Sequence, residues 1–236
     1  MKPLFKEAFT YKQSQCTIIC DKQEGLKAAK ESIQHNNTLL ENYLNKNPKF
    51  GWSLKPTPTP QKPLVCKLMA KAAEKANVGP MAAVAGVLAD LAVKDMILAS
   101  CEVAIVEDGG EISAISNVPV DVAVAAGDEP LSKRFGFRLT EFPIGLATSS
   151  GRFSHALSFG DAEAATVFCK EAGLADAAAT AVGNTVKGED VNATIEKGIA
   201  TAKTIVGVEG ALILYKGCVG TWGKIQQIIK VDPEKQ

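Results

Sequence analysis

The run Cys101-Glu102-Val103-Ala104-Ile105-Val106-Glu107, the triplet Asp108-Gly109-Gly110 and the returning run 111–116 constrain the fold more than any other stretch of this chain. Two apolar, β-branched segments separated by a glycine pair predict a hairpin, because glycine takes the positive φ of a tight turn without steric cost. Such a pair also leaves backbone bare enough for a ligand to lie against it. Further strand-like runs occupy 9–13, 16–20, 120–126, 144–148 and 164–169. The first two make an N-terminal hairpin, and 210–215 with 224–231, linked through 216–223, make a closing one. Hairpins in this number predict antiparallel sheet in an α+β layered domain, not the regular β-α-β alternation of a Rossmann fold.

Helical spacing fills the intervals. Leu26, Ala29, Ile33, Leu40, Tyr43 and Leu44 predict an amphipathic helix over 26–44 that Asn47-Pro48 closes, with His35 on its solvated side. A proline-stiffened connector, 55–63, follows and is expected to lie along the surface. Val65, Leu68, Met69, Ala72, Ala73 and Ala76 predict a second helix. Gly79-Pro80 opens a third over 81–100, alanine-rich, in which Gly86 lets another backbone or a ligand come close. Asp190 introduces a helix over 191–202. The whole of 1–236 is expected to form one domain, with a hairpin and helix in 1–63 and the motif-bearing core in 64–236.

At 236 residues such a chain can bury about 70 to 75% of the surface it exposes when unfolded, so a core needs no disulfide or metal staple. Its 26 basic and 26 acidic residues balance, without a run of one sign, which argues against nucleic-acid or anionic-membrane partners. The N-terminal MKPLFKEAFTYKQ has no apolar signal core and no stretch is long enough to span a bilayer, so a cytoplasmic location is expected. The cysteines, Cys16, Cys20, Cys66, Cys101, Cys169 and Cys218, are scattered, as free thiols of a reducing compartment would be.

The chemistry is concentrated in 146–184. Thr148-Ser149-Ser150-Gly151-Arg152-Phe153-Ser154-His155 gathers hydroxyls, an arginine and a histidine beside a glycine, a composition that suits an anion or a phosphate. The segment 174–184 predicts a short alanine-rich helix stopped by Gly183, on which Asp176 and Thr180 stand one turn apart. Their oxygens suit Mg2+ or Ca2+. The alternative is that Asp176 merely caps the helix start while Thr180 packs as a small residue.

Three ordered pieces resemble the ApbE superfamily, whose best-known members are Mg2+-dependent FAD:protein FMN transferases. Val84-Ala85-Gly86-Val87-Leu88-Ala89-Asp90, followed by Val106-Glu107-Asp108-Gly109-Gly110-Glu111-Ile112, is similar to the A-K-G-x-x-x-D helix and V-x-x-G-G-x-I turn of that family. Ala147-Thr148-Ser149-Ser150-Gly151 is similar to its A-T-S-G segment, and Ala175-Asp176-Ala177-Ala178-Ala179-Thr180 to its A-D-A-L-A-T metal motif. The motifs span 79–184. Over its full length the chain more closely resembles an uncharacterised cytosolic branch from anaerobic prokaryotes, linked to homocysteine synthesis by sulfide incorporation.

The resemblance implies an ApbE-like fold in which Asp176 and Thr180 hold Mg2+. It places Gly86, Asp90, Gly109, Gly110, Thr148, Ser149, Arg152 and His155 around a small-molecule ligand such as FAD or FMN. Two departures bear on activity. Ala85 stands where the transferases carry lysine, and His155-Ala156-Leu157-Ser158-Phe159-Gly160 lacks the aspartate of their H-x-x-D-P-x-T-G run. Arg152 is a candidate replacement for the missing charge. Three functions follow as expectations: Mg2+-assisted binding or transfer of a phosphorylated ligand, a part in sulfide incorporation with a sulfur-pathway partner protein, or a non-catalytic subunit. A homo-oligomer is compatible with each.

Overall fold

Strand alternation decides how this chain is layered. The computed structural model describes residues 4–123, 135–150 and 160–230. The chain opens with β1 (Phe5–Tyr11), β2 (Ser14–Cys20), α1 (Gln23–Lys46), α2 (Pro48–Trp52) and α3 (Leu64–Ala76). A 3₁₀ turn, Pro80–Ala83, then leads into α4 (Val84–Leu98). The middle of the chain holds β3 (Ala104–Asp108), β4 (Glu111–Ile115), β5 (Val120–Ala123), β6 (Phe135–Leu139) and β7 (Ile144–Ser149). Last come β8 (Ala164–Cys169), α5 (Ala172–Thr185), α6 (Val191–Thr204), β9 (Val208–Tyr215), β10 (Cys218–Gly223) and β11 (Gln227–Lys230).

Every pairing among the described residues is antiparallel. Eight strands form one sheet in the order β1-β2-β3-β4-β7-β8-β9-β10, and β11-β6-β5 form a second, smaller sheet. This is the expected α+β arrangement of antiparallel sheets flanked by helices.

Successive side chains along a strand point to opposite faces, and over the central strands of the large sheet both faces are covered. One face packs against the helices: Ile18, Ala104 and Val106 meet Ala29, Ile33 and Met96, while Ala147, Val167 and Ile213 meet Ala175, Ala178 and Val182. The other face, carrying Ile105, Ile112, Leu146, Phe168 and Leu212, packs against Val122, Phe137 and Leu139 of the small sheet. Phe137 and Phe168 join the sheets edge to face, their centroids 5.0 Å apart. Burial on both faces explains why β8, AATVFC, is buried throughout instead of alternating.

The structure corrects several expected elements. The closing hairpin is β9–β10, not 210–215 with 224–231. Lys216 and Gly217 take φ of 47° and 74°, so the chain reverses there and 218–223 pairs back on β9. The final strand, β11, instead pairs with β6, a strand absent from the sequence reading. Gly183 does not stop its helix, which runs on to Thr185. Pro48 opens the one-and-a-half-turn α2 as well as ending α1, since proline is tolerated at a first helical position. Gly109 and Gly110 do turn the β3–β4 hairpin, with φ of 69° and 111°.

Small residues bring α5 onto the sheet and onto α4. A Cβ at Gly145 would lie 2.2 Å from the Ala172 nitrogen, and one at Gly86 would lie 2.3 Å from the Ala172 oxygen. Both contacts are with backbone, which has no side-chain rotamer to yield. Gly145→Ala is expected to cost about 1–3 kcal/mol of stability, the usual range for overpacking. The urea midpoint should fall while the slope of the transition stays constant.

Candidate functional site

Neither α4 nor α5 starts with a side chain that caps it. Ala83 and Glu171 occupy the cap positions without a capping hydrogen bond, which leaves first-turn amides in need of acceptors. Each helix draws an acceptor from the other. Asp176 of α5 accepts from the Gly86 amide at 3.0 Å, with the Ala85 backbone adding a second hydrogen bond. Asp90 of α4 accepts from Ala172 N at 2.9 Å and Gly173 N at 2.8 Å, and from the Ser113 hydroxyl at 2.7 Å. The two aspartates cap one another's helices across the crossing where Gly86 meets Ala172 and Gly173 meets Val87.

This exchange places three sequence-derived candidates. Asp176 does cap a helix start, but that of α4, not its own. Gly86 admits another backbone, and its N–H is aimed at Asp176. Asp90 has both oxygens engaged in capping and in holding Ser113, and so positions α5.

Strand alternation places the others. The register of β4 on β7 sets Ile112 opposite Leu146. Continued, it brings the Gly109–Gly110 turn level with Thr148 and Ser149. Ser149 alternates with Gly145 and Ala147 and so lies on the helix side, the side of Asp176. Thr148 lies on the opposite side, where its hydroxyl meets Thr166 Oγ1 at 2.9 Å. Thr148 and Asp176 therefore face away from one another across the sheet. Among the described residues a Cβ at Gly110 would meet nothing within 4 Å. Thr180, half-buried, stands one turn beyond Asp176. Arg152 and His155 lie outside the described residues.

Two acidic residues join Asp176 on the helix side that sequence reasoning did not single out. Asp108 alternates with Ala104 and Val106, Glu111 with Ser113, and Asp108 and Glu111 are direct cross-strand partners. Like charges directly opposite destabilise a sheet, and that pairing across a legible Gly-Gly turn was the available signal. Asp108 is 3% exposed and accepts from the Gln15 amide at 3.0 Å. Among the described residues, none of the three carboxylates is in an ion pair.

The electrostatic result is a set of acids held above their usual range. Burial, then the Asp176 and Asp108 charges, push Glu111 well up. Burial, against the Gly86 hydrogen bond and reinforced by Asp108, pushes Asp176 up to about 7. Burial also raises Asp108. The donors are all hard oxygens, the chemistry that suits Mg2+. Among the described residues, no three His, Cys, Asp or Glu side chains stand close enough to hold an ion by themselves. Ser150, just beyond β7, is 5% exposed, and its hydroxyl has no partner among the described residues.

The thiols are a different case. Cys101 and Cys169, nearest along the chain to these motifs, are buried, and burial pushes them up to about 11 and about 12. Cys16, Cys20 and Cys66 are buried as well, and only Cys218 is exposed. No described helix is long and apolar enough to cross a membrane.

The architecture defines an ApbE-like fold. The apo flavinyl transferase ApbE of Pseudomonas stutzeri superposes with a TM-score of 0.60 at 15% identity, covering 93% of this chain and 94% of that one. The ApbE protein of Thermotoga maritima gives 0.58 at 13%, covering 99% and 98%. The family model described as AbpE bacteria matches residues 6–205. The chain belongs to that family. UPF0280 proteins of Methanococcus vannielii and Methanosarcina acetivorans are similar to it, 36% identical over 237 residues and 37% over 231. These matches cover 98% and 96% of this chain, and 96% and 90% of those proteins.

The raised acids have a measurable consequence. Asp176 binds its proton more tightly folded than unfolded, where the ordinary value is about 3.9. Its contribution to stability is therefore complete below about pH 4 and is lost as pH rises through about 7. Urea midpoints measured from pH 4 to pH 8 without divalent cation should decline for the natural chain and decline less for Asp176→Asn, which keeps an oxygen for Gly86.

Proposed function

We propose that the helix-side end of the β3–β4 hairpin binds a phosphorylated ligand of the flavin nucleotide class with the help of Mg2+, and that the protein is a transferase of such a ligand. The observation that carries this reading is the gathering of Asp108, Glu111 and Asp176, without a counter-charge among the described residues, beside the backbone of Gly110. Natural sequences hold uncompensated carboxylates together chiefly where a cation or a proton is to be taken up.

Each residue has a definite part. Asp176 and the Thr180 hydroxyl would hold the metal, with Glu111 the next carboxylate inward. A divalent cation there would supply charge neutralisation at a phosphate oxygen. The Gly109–Gly110 backbone lets a planar or phosphorylated group approach without meeting a side chain. Ser149 lies on the Asp176 side of β7 at the same sheet end, where its hydroxyl would donate to the ligand. Asp90 fixes the start of α5, and so the height of Asp176 above the sheet. Ala85 offers no ammonium to a phosphate, which puts more of the neutralisation on the metal. The fold likeness to flavin transferases supports flavin as the ligand, and a cytoplasmic location is part of the proposal.

No observation favours sulfide carriage by the buried cysteines. A thiolate is the reactive form, and burial keeps Cys101 and Cys169 protonated at neutral pH.

Titration of the protein with FAD, followed by flavin fluorescence with and without Mg2+, tests the reading. Binding is expected only with Mg2+, and should weaken at least tenfold in Asp176→Asn, whose unchanged circular dichroism would show that the fold persists. Equal binding with and without Mg2+ contradicts the metal assignment. No binding in either condition contradicts the flavin assignment and favours a non-catalytic subunit.

A further inference from the structure

One cleft on the described surface lies away from the acidic cluster. It has a volume of about 1040 Å³ and lies between α3, α4, β4 and the start of α5. At the α4–α5 crossing it reaches Val87, Asp90, Ser113, Glu171 and Gly173, but not Asp176, Thr180 or the glycine turn. Leu68, Leu91, Ile97, Ile115 and Leu174 give its walls, and Leu64 and Leu98 stand at its mouth, 46% and 75% exposed. A second depression of about 700 Å³ shares Leu64 and continues the groove along Leu39, Tyr43 and Pro63.

Two features of this groove identify its occupant. The first is charge. Lys71, Lys75, Lys94 and Lys170 line the large cleft against only two outward carboxylates, Glu74 and Glu171, since Asp90 is engaged in capping. Lys46, Lys62 and Lys67 line the smaller one without an acid. None of these lysines is in an ion pair among the described residues. In a chain whose charges otherwise balance, that is a local excess aimed at an anion. The second is the wall chemistry. The large cleft is lined by aliphatic side chains and no aromatic ring, so it lacks the stacking surface that a flavin or a base would use.

We propose that this groove is a binding site for an aliphatic anion, a straight alkyl chain ending in a carboxylate or phosphate. The chain lies among Leu68, Leu91, Ile97 and Leu174, and the head group meets the lysine rim. Long lysine side chains suit this task, because their stems extend the apolar wall while their ammonium groups stay in water. A second copy of the protein is a poor occupant, since a two-fold contact would set one lysine rim against another.

Calorimetric titration of the full chain with octanoate and decanoate, below their micelle concentrations, and with 1-octanol and 1-decanol, tests the site. Each methylene should tighten binding about fourfold, so decanoate should bind about fifteenfold tighter than octanoate. Carboxylates should exceed the matched alcohols at low salt and lose that advantage as salt is added. Lys94→Glu with Lys170→Glu, both exposed, should weaken decanoate at least tenfold and leave 1-decanol unchanged, while Asp176→Asn should leave decanoate unchanged. Decanoate binding that ignores chain length or survives the charge reversal overturns the proposal. So does a groove that binds no probe and is instead closed by self-association in sedimentation.

Discussion

The crossing of α4 and α5 rests on an exchange of aspartates. Each helix begins without a cap of its own, and each is completed by a carboxylate from the other, Asp176 to Gly86 and Asp90 to Ala172 and Gly173. A buried amide left without an acceptor costs about 1–3 kcal/mol, so the exchange fixes the two helices jointly. It also sets the composition around it. The amides can reach the carboxylates only if the backbones come close, and that requires glycine at 86, 145 and 173, where a Cβ would lie 2.2 to 2.4 Å from its neighbours. Alanine fills much of the rest of α5 for the same reason.

That framework explains how a fold can hold acids in mutual repulsion. Asp176 is committed to Gly86 through one oxygen, and Asp108 to the Gln15 amide, so neither can turn away from Glu111. Burial is the main cause of their raised proton affinities, with neighbouring charges adding at Glu111 and Asp176, and protonation relieves both.

Some of this was legible in the sequence and some was not, for physical reasons. The β3–β4 hairpin declared itself because its turn needs glycine locally, and Asp176 with Thr180 because helical spacing is local. The role of Asp90 was hidden, since nothing along the chain says that its partners are 82 and 83 residues away. The pairing of β11 with β6 was hidden likewise: strand propensity suggests that a segment is extended, but not which edge it joins. Thr148 was misplaced relative to Asp176 because two neighbours in sequence, Thr148 and Ser149, lie on opposite faces of a strand. The resemblance to ApbE proteins supplied the motifs and their order, while the acids at Asp108 and Glu111 emerged only when the hairpin register set them opposite one another.

Hydrogen exchange at individual amides tests the joint capping most directly. In Asp90→Ala the amides of Ala172 and Gly173 lose their acceptor and should exchange faster in any account. If the two caps form one unit, the Gly86 amide, whose own acceptor is untouched, should lose protection too, by about tenfold or more. Gly86 protection that stays at its original level while Ala172 and Gly173 open would mean that the caps act independently, and would contradict the account.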